Sequence, residues 1–354
     1  MTVEGRRAFA GGDVGTPAPA PAVSVVMSAY NSAEFLEACL DSVRRQSFTD
    51  FELIIVDDGS TDRTRDILLA YAARDDRIRL ILKDSNEGLA VARNGCVDAA
   101  RGRYVTFIDT DDLVHPDLLR CAVEAAERDH SDLVIWDYVK FCGAVDTIRP
   151  AAPSGLQFMD PGNKAALLEL PAFACAKLIR TEILKKLGVR FPPSLTYQDI
   201  PVHWRLVTSL DRISLVPMRL FYYRQHGEAT TSGKGWKRAD LIVILDLVKK
   251  DLVDRGLFGE YQEIFTMKQL NGFHGVHDVV TPDLKPDVLR LIGERLGPQH
   301  WDYIHSGKPL RWQARSFYKG LNGDRIEALR LGVWQLVRRA YRAMRAAPAS
   351  LSPR

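Results

Sequence analysis

No Cys-x-x-Cys pair occurs among the five cysteines of this 354-residue sequence, Cys39, Cys96, Cys121, Cys142 and Cys175, and their number is odd. Such a set signals neither a disulfide framework nor a zinc site and suits a reducing compartment. Cys39, Cys96 and Cys121 fall in helix-period segments, where they read as small buried hydrophobes. Long apolar runs are missing too: nothing approaches the roughly 18 apolar residues that a membrane-spanning helix needs. Arg6 and Arg7 are followed by Gly11, Gly12 and a Pro-rich stretch from Thr16 to Pro21, so no secretory signal is expected. Charge of one sign is not concentrated either. The net charge is +3 with Lys and Arg spread along the chain, which leaves no compositional argument for nucleic-acid binding. No Gly-x-Gly-x-x-Gly follows the first apolar run, which disfavours a dinucleotide dehydrogenase, and no internal repeat is present. The expectation is a cytoplasmic protein whose core needs no cross-links.

What is present is an alternation of short β-branched runs with helix-period segments. After a flexible leader over 1–21, Val23 to Met27 reads as a strand, Phe35, Leu36, Cys39, Leu40 and Val43 form one helical face, and Leu53 to Val56 reads as a second strand. The pattern continues with a helix from about Thr61 to Ala73, a strand Ile78 to Leu82, a helix from about Gly88 to Ala100, a strand Tyr104 to Ile108, a helix from about Pro116 to Asp129 and a strand Leu133 to Trp136. Such alternation predicts an α/β fold, a mostly parallel sheet with helices on both faces. The periodicity fades from Phe141 to about Asn163. Residues 164–232 combine helices, a loop around Tyr197 to Asp199, and two short strands, Ile213 to Val216 and Leu220 to Tyr223. The sequence thus divides into 22–140, 141–232 and a helical region over 233–354, where Leu241, Ile244, Leu245 and Val248 make one apolar stripe.

Ligands of such sheets bind beyond the carboxyl ends of the strands, so polar residues directly after apolar runs carry the functional argument. The first strand ends in Tyr30-Asn31, an aromatic ring able to stack on a base. The second ends in Asp57-Asp58-Gly59-Ser60, and two adjacent carboxylates repel unless donors or a ligand compensate them. The fourth ends in Asp109-Thr110-Asp111-Asp112. Three carboxylates within four residues at the rim of a buried sheet call for a cation, and hard oxygen ligands suit Mg²⁺ or Mn²⁺.

These motifs, together with Asn86-x-Gly88 and Ala92-Arg93-Asn94, resemble the family 2 glycosyltransferases of the GT-A (Rossmann-like) fold, most densely from about Val23 to Leu119. The resemblance implies an inverting enzyme with a nucleotide-diphosphate-sugar donor. The base would stack near Tyr30 and hydrogen-bond Asp57 or Asp58, Arg93 would lie near the phosphates, and Asp109, Asp111 and Asp112 would hold Mn²⁺ or Mg²⁺ on the diphosphate. A base must take the proton of the acceptor hydroxyl; in the family it is the Asp of a Glu-Asp pair, which here reads Gln198-Asp199, making Asp199 the candidate. Tyr222-Tyr223-Arg224-Gln225-His226, followed by Thr230-Thr231, resembles the segment that closes over the diphosphate, with Arg224 as a phosphate contact and His226 as a metal ligand. Gly95 directly follows Asn94, one place earlier than in relatives. The sequence after Asp199 lacks the Gln-x-x-Arg-Trp of processive polymerases, so one sugar per encounter is expected.

Arg325 to Arg345 places Ile326, Leu329, Val333, Leu336, Val337, Ala340 and Met344 broadly on one side of a helix, with Arg330, Arg338, Arg339, Arg342 and Arg345 around them. Two readings stay open for 324–346: a basic amphipathic helix lying on an anionic membrane, at the inner face of the plasma membrane, or a helix packed on protein with a solvated basic face. The acceptor is then a saccharide or a lipid-linked one, as in cell-surface polysaccharide or glycolipid assembly. Two other functional classes compete. A non-catalytic sugar-nucleotide-binding module is encouraged by Gln198, and an aspartyl-phosphate phosphotransferase by Asp109-x-Asp111, although that class needs its nucleophilic pair on an early strand.

Overall fold

A strand that buries both of its faces needs no polar alternation, and Val23–Ala29 follows that rule: β1 encloses every side chain but Ser28, which is half-buried. The computed structural model describes residues 19–143, 152–227 and 233–346, with side chains as far as 335, so most of the expected leader, and Thr230-Thr231, lie outside the described residues. From β1 the chain alternates as its periodicity predicts, through α1 (Ala33–Arg44), β2 (Phe51–Asp57), α2 (Thr64–Ala72), β3 (Ile78–Leu82), α3 (Leu89–Ala99), β4 (Tyr104–Phe107), the two-residue β5 (Leu113–Val114), α4 (Leu118–Arg128) and β6 (Leu133–Phe141). The expected face of α1 is the buried one, with Leu36, Cys39, Leu40 and Val43 inside. Then come α5 (Lys164–Glu169), β7 (Lys177–Arg180), α6 (Thr181–Lys186), α7 (Asp199–Ser209) and β8 (Ile213–Arg224).

The strands make one eight-stranded sheet in the order β3-β2-β1-β4-β7-β6-β8-β5. β3, β2, β1 and β4 run parallel, and so do β6 and β8. β7 is antiparallel to both of its neighbours, and β5 is antiparallel to β8. The two short strands expected at 213–216 and 220–223 are one continuous β8, paired to β6 with register shifts between Trp136 and Tyr138. Pro217 has no N–H for the ladder, which is why the pattern looks broken there. β6 runs on to Phe141, past the expected end at Trp136, because β8 partners its whole length.

At the amino end of the parallel strands the chains approach closely. A Cβ at Gly102 would lie 2.4 Å from the Ser24 nitrogen, so the position admits only glycine. Ser24 Oγ accepts the Gly102 N–H and donates to Glu52, which also takes Arg79 and Arg101. Burial pushes the Glu52 pKa up, but these donors outweigh it and leave the group lowered. The network is structural; nothing in the sequence pattern announces it.

Residues 233–354 form a second unit. Its described helices are α8 (Asp240–Asp254), α9 (Phe258–Val279), α10 (Lys285–Gly293), α11 (Pro298–His305), α12 (Trp312–Leu321) and α13 (Arg325–Ala346). Ile244, Leu245 and Val248 of the α8 stripe are buried and Leu241 is half-buried. α13 packs against α12: Leu331 is buried, Glu327 accepts from Ser316, and the rings of Trp334 and Trp312 meet at 5.5 Å. Ile326, Leu329 and Val333, on the expected apolar stripe, stay 80%, 70% and 53% exposed. No helix among the described residues is long and apolar enough to cross a membrane.

Candidate active site

The carboxyl ends of β1, β2 and β4 lie side by side, and the residues after them are stitched together. Asn31 has left-handed backbone (φ 47°), accepts the Thr61 N–H on Oδ1 at 2.8 Å, and donates its own N–H to Ser60 Oγ. Gly59 takes φ 75°, and a Cβ there would meet the Ser85 backbone at 2.5 Å. Tyr30, between these loops, exposes 46% of its surface.

Asp57 and Asp58 are placed differently from the expectation of a base contact. Both are buried, and the donors that relieve their mutual repulsion come from the protein. Asp57 takes Arg65 Nε at 2.6 Å and the Ser60 N–H, while Asp58 takes Lys83 Nζ at 2.8 Å and the Glu87 and Gly88 N–H groups. Their acceptor oxygens are thus engaged in holding the β2 loop. Arg65 and Lys83 escaped the sequence reading, because a lone cation on a helix or after a strand has no periodic signal.

The Asp109–Asp112 loop is closed from the far side of the sheet. β5 pairs with β8, Leu113 opposite Tyr222, which delivers the end of β8 to the aspartates. His226 Nε2 lies 2.8 Å from Asp111 Oδ2. Arg224 donates its N–H to Asp112 Oδ1, its Nε to the Asp111 carbonyl and an Nη to the Gly143 carbonyl, and stands over the rings of Phe35 and Phe141 at 4.7 and 4.6 Å. Only 6% exposed, Arg224, expected as a phosphate contact, is here bound to the Asp111–Asp112 backbone and side chain and to Gly143. Burial first, then the neighbouring carboxylates, push Asp111 up and Asp112 well above the ordinary carboxylate range.

Among the described residues no three His, Cys, Asp or Glu side chains converge as a ready metal cage. Asp111 turns to His226 and Asp109 turns to Arg93. The donor chemistry nonetheless fits a hard divalent cation: the loop supplies carboxylate oxygens, and Asp112 Oδ2 is buried without a hydrogen-bond partner.

Asp199 is the first residue of α7 and follows Tyr197, whose φ of 59° is strained for an aromatic residue. Its Oδ2 accepts the Ala174 N–H at 3.0 Å and its Oδ1 takes Arg93 Nη1 at 2.7 Å. The other Nη of Arg93 donates to Asp109 Oδ1 at 2.6 Å. One guanidinium, 4% exposed, therefore spans the first aspartate of the loop and the candidate base. This occupies Arg93, expected near the phosphates, with carboxylates instead. Asn94 fixes the loop before Asp199 through both backbone groups of Phe191. Lys177 is fully buried beside Asp199; burial lowers its pKa to about 8 against the pull of that carboxylate, and its Nζ donates to the Phe173 carbonyl.

The glycosyl transferase family 2 model matches residues 24–188. Residues 24–188 form a family 2 glycosyltransferase domain. The chain is 30% identical over 218 residues to the uncharacterized glycosyltransferase EpsJ of Bacillus subtilis, a match that covers 60% of this chain and 63% of EpsJ. The chain therefore spans less than two-thirds of the length of that relative. Among solved structures, Staphylococcus aureus TarS superimposes with a TM-score of 0.64 at 20% identity, over 86% of this chain and 53% of TarS. The mannosyltransferase PcManGT of Pyrobaculum calidifontis, in complex with GDP-Man and Mn²⁺, gives a TM-score of 0.54 at 18% identity, over 82% of this chain and 80% of that one. At these identities the likeness concerns the fold, a GT-A α/β architecture.

Proposed function

We propose that the protein is an inverting glycosyltransferase, moving one sugar per encounter from a nucleotide-diphosphate donor to an acceptor hydroxyl in polysaccharide or glycolipid assembly. The observation that carries this reading is the bridge from Asp109 through Arg93 to Asp199, at 2.6 and 2.7 Å. It sets a candidate metal carboxylate and a candidate base one guanidinium apart, near enough for one to serve the leaving group and the other the acceptor of the same sugar. Two relatives support the donor class, since TarS has been solved with UDP-GlcNAc and PcManGT with GDP-Man.

Asp199 Oδ1 takes the proton of the acceptor hydroxyl as its oxygen attacks the anomeric carbon and the bond from that carbon to the diphosphate oxygen breaks. The Ala174 N–H holds the other carboxylate oxygen and fixes the direction of the first. Tyr30, exposed at the rim, supplies the face on which the nucleoside base stacks. Asp109, Asp111 and Asp112, with His226, would hold Mn²⁺ or Mg²⁺, which when bound supplies positive charge for the departing diphosphate. Asp199→Asn is expected to retain donor binding in calorimetry while transfer falls by ~10²–10⁴-fold. Normal transfer by that variant would remove Asp199 from its role.

We also infer that α13 makes peripheral contact with an anionic membrane. Its exposed Ile326, Leu329 and Val333 lie on a helix of six arginines and one glutamate, a charge that suits acidic lipid headgroups. A lipid-linked acceptor and a position at the inner face of the plasma membrane follow from that contact; a saccharide acceptor needs neither.

A further inference from the structure

Arg93 is the one cation among the described residues that reaches both Asp109 and Asp199, and it does so from within the protein. Its guanidinium is 4% exposed and stands 5.3 Å from the Phe191 ring. The neighbouring Asn94 locks that ring's backbone in place. α3 thus presents a rigid fork whose two ends serve carboxylates from segments ninety residues apart, Asp109 after β4 and Asp199 at the head of α7.

Asp109 Oδ1 is an oxygen that a divalent cation also wants. A carboxylate oxygen 2.6 Å from a guanidinium has given part of its electron density to that donor, and is so much the less available to a cation. We propose that Arg93 is a positioning residue that couples metal binding to the candidate base: it competes with the metal for Asp109, and the hold it yields there passes to Asp199. This rests on the reading of Asp109 as a metal ligand. The coupling is reciprocal, as linkage requires. Drawing Asp109 onto a cation leaves the guanidinium with Asp199 as its principal partner, which steadies the base when the donor site is filled. Weakening the Asp199 end lets Arg93 lean harder on Asp109 and lowers metal affinity.

The test is Mn²⁺ binding to the full chain without donor, measured by calorimetry for the wild type, Arg93→Gln, Asp199→Asn and the double variant. Arg93→Gln is expected to bind Mn²⁺ about three- to tenfold more tightly while kcat falls and the KM for the donor changes little. A residue with a merely structural role would weaken binding and activity together. Asp199→Asn is expected to weaken Mn²⁺ binding in the wild-type background and to leave it unchanged in the Arg93→Gln background. Equal or weaker Mn²⁺ binding by Arg93→Gln at an unchanged thermal midpoint overturns the proposal, and so does an Asp199→Asn effect that persists without Arg93. Should Arg93→Gln fail to fold, Arg93→Lys keeps the charge on a single ammonium that reaches one carboxylate, and the Asp199→Asn effect is expected to vanish there too. A wild type that binds neither Mn²⁺ nor Mg²⁺ defeats the proposed function itself, whereas a wild type that binds Mn²⁺ with no response to Arg93→Gln defeats this coupling alone.

Discussion

Asp112 is the most enclosed of the three loop carboxylates, 1% exposed with one oxygen unpartnered. A charge held there by a single backbone donor, the Arg224 N–H, opposes folding at neutral pH, and burial together with Asp111 and Asp109 raises its pKa accordingly. Asp112→Asn keeps an acceptor for the Arg224 N–H and removes the charge. The expected outcome is a thermal midpoint equal to or a few degrees above the wild type, with Mn²⁺ binding weakened by ~10-fold or more; a lowered midpoint with intact metal binding would show that the carboxylate serves the fold. At this scale the acidic cluster was plain in the sequence because its members are neighbours in the chain. Their counter-charges were hidden, since Arg65, Lys83 and Arg93 reach the carboxylates only through the tertiary fold.

Among the elements, the parallel strands and the helices between them followed from periodicity, while β7 and the continuity of β8 did not. β7 is a four-residue strand, Lys-Leu-Ile-Arg, too short to show alternation, and its pairing with β4 and β6 is non-local. α13 was legible as amphipathic but not as two-sided. One side meets α12 through Leu331 and Trp334, and the other leaves Ile326 and Leu329 in solvent. The packed reading holds for the first side, and the exposed side is the one the membrane proposal concerns; Arg338, Arg339, Arg342 and Arg345 lie outside the described side chains. Leu329→Glu puts a carboxylate on the exposed stripe without touching α12. It is expected to lower co-sedimentation with phosphatidylglycerol vesicles several-fold, with no change in the thermal midpoint; unaltered vesicle binding would discard membrane contact through this face.

Taken as a whole, the chain comprises two units, and acid should find them unequally stable. In the second unit burial lowers the pKa of His277 from 6.5 to about 4, helped by Lys285 and His274 and opposed by Asp278. A folded-state pKa below the unfolded one means that the unfolded chain binds the proton more readily. Stability is then full above about pH 6.5 and is lost as pH falls from there towards 4. Calorimetric scans at pH 7 and 5 are expected to show the transition of this unit moving down at the lower pH. In His277→Gln the movement should shrink; an unchanged movement would assign it to other groups. The half-buried position of the ring keeps the effect below what a fully enclosed histidine would give.

β8 is the neighbour of both β6 and β5. A piece of chain ended at Gly188, where the family match stops, would keep the aspartate loop yet deprive it of β8, of the Arg224 clamp and of the candidate base Asp199 at once. It would also bare the nine-residue flank of β6, an open row of backbone donors and acceptors that invites another chain to add itself. The contacts that close the aspartate loop thus run to His226, well outside the span by which its kinship is recognised.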